Sequence, residues 1–274
     1  MTDDRLEEIE LRLLLEAMYQ YYGYDFREYA RSSLLRRIWH RASEEGLTTI
    51  SALQDRILHD PAVLERLLLD LSISVTSMFR DPTFYRALRT KVIPLLRTYP
   101  FIRVWNAGCA TGEETYSLAI LFHEEGLGDR TRIYATDIND VVLKQAREGV
   151  FPLDKMREYT ENYIRSGGTA AFSDYYKVFG EKVRFDPSLV DQVVFAQHNL
   201  VSDAAFNEFH LVVCRNVMIY FDRSLQDKVH GLLHNSLVRF GVLALGHKES
   251  IRFTSYADSY EEIDAAEKLY RRAA

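Results

Sequence analysis

The chain has 274 residues, 47% of them hydrophobic and 27% charged, and a net charge of −6. That balance suits a globular protein of about two domains and excludes a disordered chain, and the negative total argues against a generic nucleic-acid binder. No run approaches the roughly 20 apolar residues that span a bilayer, so direct membrane insertion is not expected. Two cysteines, Cys109 and Cys214, are too few for a disulfide framework or a cysteine-built zinc site. With an acidic N-terminus (MTDDRLEE) that lacks a signal-peptide pattern, they predict a reducing, cytoplasmic location.

Residues 1–75 read as an all-helical N-terminal domain. Leu6, Ile9, Leu13, Met18 and Tyr21 recur at helical spacing, and so do Leu34, Leu35, Ile38 and Ala42, and then Val63, Leu64, Leu67, Leu68 and Leu71. Gly23 and Gly46 punctuate between them. The second of these helices is basic, with Arg31, Arg36, Arg37 and Arg41. Its apolar positions predict that Arg37 and Arg41, one turn apart, point outward. A basic helix face of this kind suits an acidic partner helix, although most charged helix faces are simply solvated.

Residues 76–100 read as a linker helix. Asp81 is a good N-cap, and Pro82 fits the first turn. From 101 to 274, strand and helix patterns alternate, with strands expected at 102–107, 131–137, 193–196, 209–214, 242–247 and near 268–272. This predicts an α/β fold with a doubly wound, mostly parallel sheet. Residues 150–192 break the rhythm, and Tyr175–Phe179 and Lys182–Phe185 predict a small antiparallel insertion.

The first strand leads into N-A-G-C-A-T-G-E-E-T-Y-S, a glycine loop followed by a helix. Gly108 permits a close backbone approach, but Glu113 and Glu114 would repel a pyrophosphate at that helix N-terminus. They suit a ligand carrying an ammonium group. A capping box, with Glu114 reaching back to the Thr111 amide, is the alternative reading. Asp137 ends the second strand, where a carboxylate accepts ribose hydroxyls. A ribose, a positive charge and no phosphate together describe S-adenosyl-L-methionine better than a dinucleotide. Arg80, in V-T-S-M-F-R-D-P, is suited to gripping a carboxylate. Arg215-Asn216 follows an apolar strand, with Tyr220 beyond, and Asn199-Leu200 follows another strand as a candidate adenine edge and face. A structural ion pair is the alternative for Arg215.

These stretches, together with Y-A-T-D-I, C-R-N-V-M-I-Y-F and G-V-L-A-L-G-H-K-E-S, resemble the bacterial chemotaxis receptor methyltransferases of the CheR type, and the resemblance runs from about Tyr21 onward. It implies S-adenosylmethionine-dependent methylation of glutamate side chains on the cytoplasmic helical bundle of chemoreceptors, leaving S-adenosyl-L-homocysteine. It further implies that Ser74, Thr76 and Arg80 meet the cofactor or its reacting end. Glu114 and Glu113 would meet the ammonium, Asp137 the ribose, and Asn199 and Leu200 the adenine. Arg215 and Asn216 would line the methionine end, and Tyr220 would stand near the methyl group. Ser74 replaces an Asn found in some members, and Lys248 replaces a Ser. Rival readings are a methyltransferase with another acceptor and a non-catalytic signalling module. A monomer is the default assembly.

Overall fold

The computed structural model describes residues 2–71 and 76–273; Ser74, a candidate cofactor residue, lies outside the described residues. The chain divides into two compact units: residues up to Ser74 together with Tyr220–Val229, and Val75–Ile219 together with His230–Ala274.

The first unit holds α1 (Thr2–Tyr22), α2 (Arg31–Glu44), α3 (Ile50–His59) and α4 (Pro61–Leu71). α1 buries Leu11, Leu14, Leu15 and Met18, while Leu6, Ile9, Leu13 and Tyr21 are exposed. The apolar periodicity therefore located the helix but not its inner face. α3 was not anticipated; Thr49 caps it, its hydroxyl accepting from the Ala52 amide at 3.1 Å. α4 buries Val63, Leu64, Leu67, Leu68 and Leu71 as its spacing predicts. The returning segment joins these helices through a bridge between Tyr29 and Phe221, and the Ala30 amide donates to the Tyr220 carbonyl at 2.7 Å.

In the second unit, α5 (Pro82–Ala87) and α6 (Ile93–Leu96) are separated by a π-helical turn at Leu88–Val92. The expected continuous helix is interrupted because Pro94 offers no N–H and crowds the carbonyl four residues back; a π turn absorbs that. Then follow β1 (Ile102–Ala107), α7 (Glu113–Glu124), β2 (Thr131–Asp137) and α8 (Asp140–Glu148). After the insertion come β6 (Val193–Gln197), β7 (Phe209–Cys214), α10 (Arg223–Asn235), β8 (Leu237–Leu245), β9 (Tyr260–Asp264) and β10 (Leu269–Arg272). The insertion itself carries β3 (Val150–Pro152), α9 (Met156–Arg165), β4 (Tyr176–Phe179) and β5 (Lys182–Phe185).

The main sheet runs β6-β2-β1-β7-β8-β10-β9. β6, β2, β1, β7 and β8 are parallel, and β10 is antiparallel to both of its neighbours. The strand order reverses at β1, which places a switch point between β1 and β7, where open α/β sheets bind ligands beyond the strand C-termini. β7 is buried at every residue, as expected of a parallel strand covered on both faces. The insertion is a separate antiparallel sheet, β3-β5-β4. Phe151, Tyr159, Tyr163, Phe172 and Phe185 bury it in the same apolar core as Tyr85, Tyr116 and Phe122. Among the described residues, no helix is long and apolar enough to cross a membrane.

Candidate active site at the strand ends

The sheet register brings the candidate residues to one edge. Ala107 pairs with Thr136, Asp137 with Gln197, and Asn106 with Val213. The loops starting at Gly108, Asp137, His198 and Arg215 are therefore neighbours. Six non-glycine residues of the described chain have a positive φ, and four of them (Phe79, Asp81, Ala110 and Asn216) belong to the segments gathered here. Backbone strain of this kind concentrates at ligand sites and is held by its surroundings.

The glycine loop is built by close packing within the chain. Gly108 has φ +75°, and a Cβ there would sit 2.4 Å from Val217 Cγ2, so its missing side chain admits the Val217 loop. Gly112 has φ +98°, and a Cβ there would meet the Ala146 Cβ at 2.9 Å, so it lets the start of α7 approach α8. Gly112, not Thr111, is the helix N-cap.

The capping-box reading of Glu114 is corrected. One of its oxygens accepts from Arg215 Nη1 at 2.7 Å and the other from Asn106 Nδ2 at 2.9 Å. Asn106 Oδ1 in turn accepts from the Thr115 hydroxyl at 2.7 Å. Arg215, with a side chain only 1% exposed, bridges Glu114 to Asp81, whose Oδ2 accepts from Nη2 at 2.7 Å. Its guanidinium also stacks 3.9 Å from the centre of the Phe84 ring. Burial opposes its charge, but Glu114 and the other acidic groups outweigh that and hold its pKa above the ordinary value. Asp81 was expected to cap α5; it is left-handed instead and makes no capping bond, because its carboxylate is drawn to Arg215. Arg80 is thus held between two anchors, Asp81 and the fully buried Phe79, whose amide donates to the Ser117 hydroxyl at 2.8 Å. Thr76 and Arg80 are both half-buried.

Glu113 turns away from this cluster. It is buried, accepts from the Thr111 hydroxyl at 2.6 Å and the Tyr159 hydroxyl at 3.3 Å, and burial raises its pKa. Asp137 is half-buried, and its two oxygens accept from the Ala110 and Asn139 amides, each at 3.0 Å. Burial pushes its pKa up, while the amides of Asn139, Ala110 and Ile138 work against the rise. Each oxygen keeps lone-pair capacity for a further donor. Asn139 caps α8 by accepting from the Val141 amide at 2.9 Å. Asn199 commits its side-chain oxygen to the Val201 amide at 2.9 Å, which leaves its NH2 as the edge able to donate; Leu200 beside it is half-buried.

Two groups of candidate residues belong to the helical unit. Tyr220 belongs to the helical unit, where the Arg37 guanidinium stands 4.9 Å from the centre of its ring. The expectation that Arg37 and Arg41 point outward is corrected. Arg37 is 8% exposed and donates to the Leu71 carbonyl at 2.6 Å, and burial lowers its pKa. Arg41 is paired with Asp70 at 2.7 Å and Glu45 at 3.2 Å. α2 buries a wider stripe than Leu34, Ile38 and Ala42 mark, because it packs against both α4 and the returning segment. Arg31 and Arg36 are exposed, and Arg31 pairs with Glu8 at 2.7 Å.

Sequence reasoning missed Glu249. It is 5% exposed, and its carboxylate accepts from the amides of Gly246, Asn216, Val217 and Met218 at 2.7 to 3.0 Å. The available signal was an acid three residues beyond a glycine that ends an apolar strand.

Comparison with known proteins agrees with this arrangement. Residues 74–268 match the family described as CheR methyltransferase, SAM binding domain, and residues 9–72 match CheR methyltransferase, all-alpha domain. The chain is 50% identical over 273 residues to a Pseudomonas putida protein named "Putative methyltransferase Cher3", covering 100% of both. It is 32% identical to a Listeria innocua chemotaxis protein methyltransferase, over 84% of this chain and 85% of that one. It is 27% identical to the Salmonella typhimurium chemotaxis protein methyltransferase, over 89% and 85% respectively.

The residues present fit S-adenosylmethionine. Arg215 is neutralised by Asp81 and Glu114, and Asp137 and Glu114 leave the strand ends acidic. A diphosphate would meet repulsion there, whereas a nucleoside with a sulfonium and an ammonium group would not. The chain belongs to the CheR methyltransferase family, an S-adenosylmethionine-dependent methyltransferase with the all-helical domain of that family ahead of its catalytic sheet.

Proposed function

We propose that the protein methylates glutamate side chains of chemoreceptors, forming glutamyl methyl esters. The observation that carries this reading is the engagement of every carboxylate described at the site. Asp81 and Glu114 hold Arg215, Glu113 holds hydroxyls, and Asp137 and Glu249 hold backbone amides. None stands ready as a general base, which suits an acceptor that is already an anion. A solvent-exposed glutamate, with a pKa of about 4.3, is ionised at neutral pH. The relatives named chemotaxis protein methyltransferases favour the same acceptor class.

When bound, S-adenosylmethionine supplies an electrophilic methyl group on a sulfonium. The chain's part is alignment and exclusion of water. Asp137 takes the ribose hydroxyls, Glu114 the ammonium, Asn199 and Leu200 the adenine, and Asn216 the amino-acid end, with Gly108 and Thr76 completing the cofactor's surroundings. Arg80, braced by Phe79 and Asp81, orients the incoming carboxylate. With Arg37 and Arg41 committed inside the helical unit, receptor docking rests on Arg31 and Arg36.

Transfer of labelled methyl groups to receptor cytoplasmic fragments tests the proposal. Alkali-labile label on glutamate is the expected result. Alkali-stable label would remove the ester, and cofactor binding without transfer to any receptor would favour the non-catalytic reading. Arg36→Glu should weaken receptor methylation severalfold while S-adenosylhomocysteine affinity, measured by calorimetry, stays unchanged.

A further inference from the structure

Glu249 has no part in the reaction described above, yet it organises the loop that carries Asn216. β7 and β8 pair Cys214 with Leu245, so Arg215 and Gly246 leave the sheet side by side. Asn216 then takes a left-handed turn, φ +60°. This turn points three successive amides at one carboxylate: Asn216 at 2.9 Å on one oxygen, and Val217 at 3.0 Å and Met218 at 2.8 Å on the other. Gly246 adds a fourth at 2.7 Å, and a Cβ on Gly246 would lie 2.6 Å from the Glu249 oxygen and 2.9 Å from the Asn216 nitrogen. Successive amides curled in this way form a concave anion-binding nest of the kind that elsewhere cradles phosphates. Here it lies at the C-terminal end of a strand beside the switch point, where a phosphorylated cofactor would use it. The same loop packs Val217 into the space beside Gly108, so the nest also sets the position of the glycine loop.

We propose that Glu249 is a positioning residue and an internal anion. It fills the nest at the end of β7, sets Asn216 for the amino-acid end of the cofactor, and denies the nest to a phosphate group. The proposal rests on the assignment of Asn216 to the cofactor and not on the identity of the methyl acceptor.

Calorimetric titration of the full-length protein with S-adenosylhomocysteine tests it and needs no acceptor, so its outcome is separate from that of receptor methylation. Glu249→Gln places an NH2 where one acceptor oxygen met two amide donors, and affinity should fall at least about tenfold. Where turnover is measured, KM for the cofactor should rise by a similar factor with kcat nearly constant. Glu249→Ala empties the nest; acetate added at millimolar levels should restore part of the lost affinity, while leaving the wild type unaffected. Gly246→Ala, which crowds the carboxylate from the other side, should weaken binding in the same direction. A folded Glu249→Gln variant with wild-type affinity overturns the proposal, as does a loss in Glu249→Ala that acetate leaves untouched. If these variants fail to fold, amide hydrogen exchange on the wild type decides. Protection of Asn216, Val217 and Met218 matching that of β7 without cofactor supports the nest, and exchange at open-loop rates overturns it.

Discussion

The two ends of α7 hold a carboxylate in different ways. At the start, Glu114 accepts from Arg215 and Asn106, and its side chain is 14% exposed. At the end, Glu124 accepts from Arg89, from the hydroxyls of Tyr163, Thr169 and Tyr175, and from the amides of Thr169 and Ala170, with a side chain 3% exposed. Glu124 gathers its neutral donors on one oxygen and Arg89 on the other, and ties α7 to the insertion. Glu114 has a cation on one oxygen and room for another donor. Under the function proposed above, the Glu114 oxygens, each with a single donor from the chain, keep the capacity for a ligand that the crowded oxygen of Glu124 lacks.

The sharpest way to break this contrast is Arg215→Ala. It leaves Glu114 and Asp81 without their cation, so stability should fall by about 3–5 kcal/mol, and S-adenosylhomocysteine binding should fall with it. Denaturant unfolding and calorimetry read the two effects. If binding survives, Glu114 owes nothing to Arg215.

Glu124→Gln should separate the ends. Loss of charge-assisted bonds lowers stability by about 2–3 kcal/mol, while cofactor affinity stays as in the wild type. This position also gives a pH signature. Burial raises the pKa of Glu124, but Tyr163, Thr169 and Arg89 outweigh it and hold the group below the ordinary value. A depressed folded-state pKa contributes stability that is present above the unfolded value, about 4.3, and lost as pH falls through the lower folded one. The wild type should therefore lose stability below about pH 4.3 more steeply than Glu124→Gln. Matching acid limbs in urea melts at several pH values would refute the clamp. The smallest change, Tyr175→Phe, removes one neutral donor of five and should lower stability by about 1 kcal/mol, seen as a modest shift in urea midpoint with unaltered binding.

The sequence was most readable where one rule acted alone. β1 and β7 stand where their apolar runs place them, because buried parallel strands need no partner to be recognised. β9 was missed: it is the charged edge strand Y-E-E-I-D, exposed at Glu261 and Glu262 and fully buried nowhere, and it carries no alternating pattern. The start of β8 was placed late because Arg239, Phe240 and Gly241 interrupt its run. Within the site, the residue types at the strand ends were readable, but their pairings were not. Arg215 meets partners 134 and 101 positions earlier in the chain, and no local pattern records that. The same limit explains Asp81, Arg37 and Arg41, each of which a short-range rule assigned to a cap or an outward face, and each of which tertiary partners claimed instead.

The helical unit is completed by Tyr220–Val229, joined to it at Tyr29 and Ala30. On the ribosome those residues emerge roughly 150 positions after the helices they complete, a wait of about 7 to 30 s at ordinary elongation rates. During that interval the nascent helices lack one of their walls, which makes them a natural client for chaperones, and a fragment truncated after the fourth helix should inherit the same deficiency permanently.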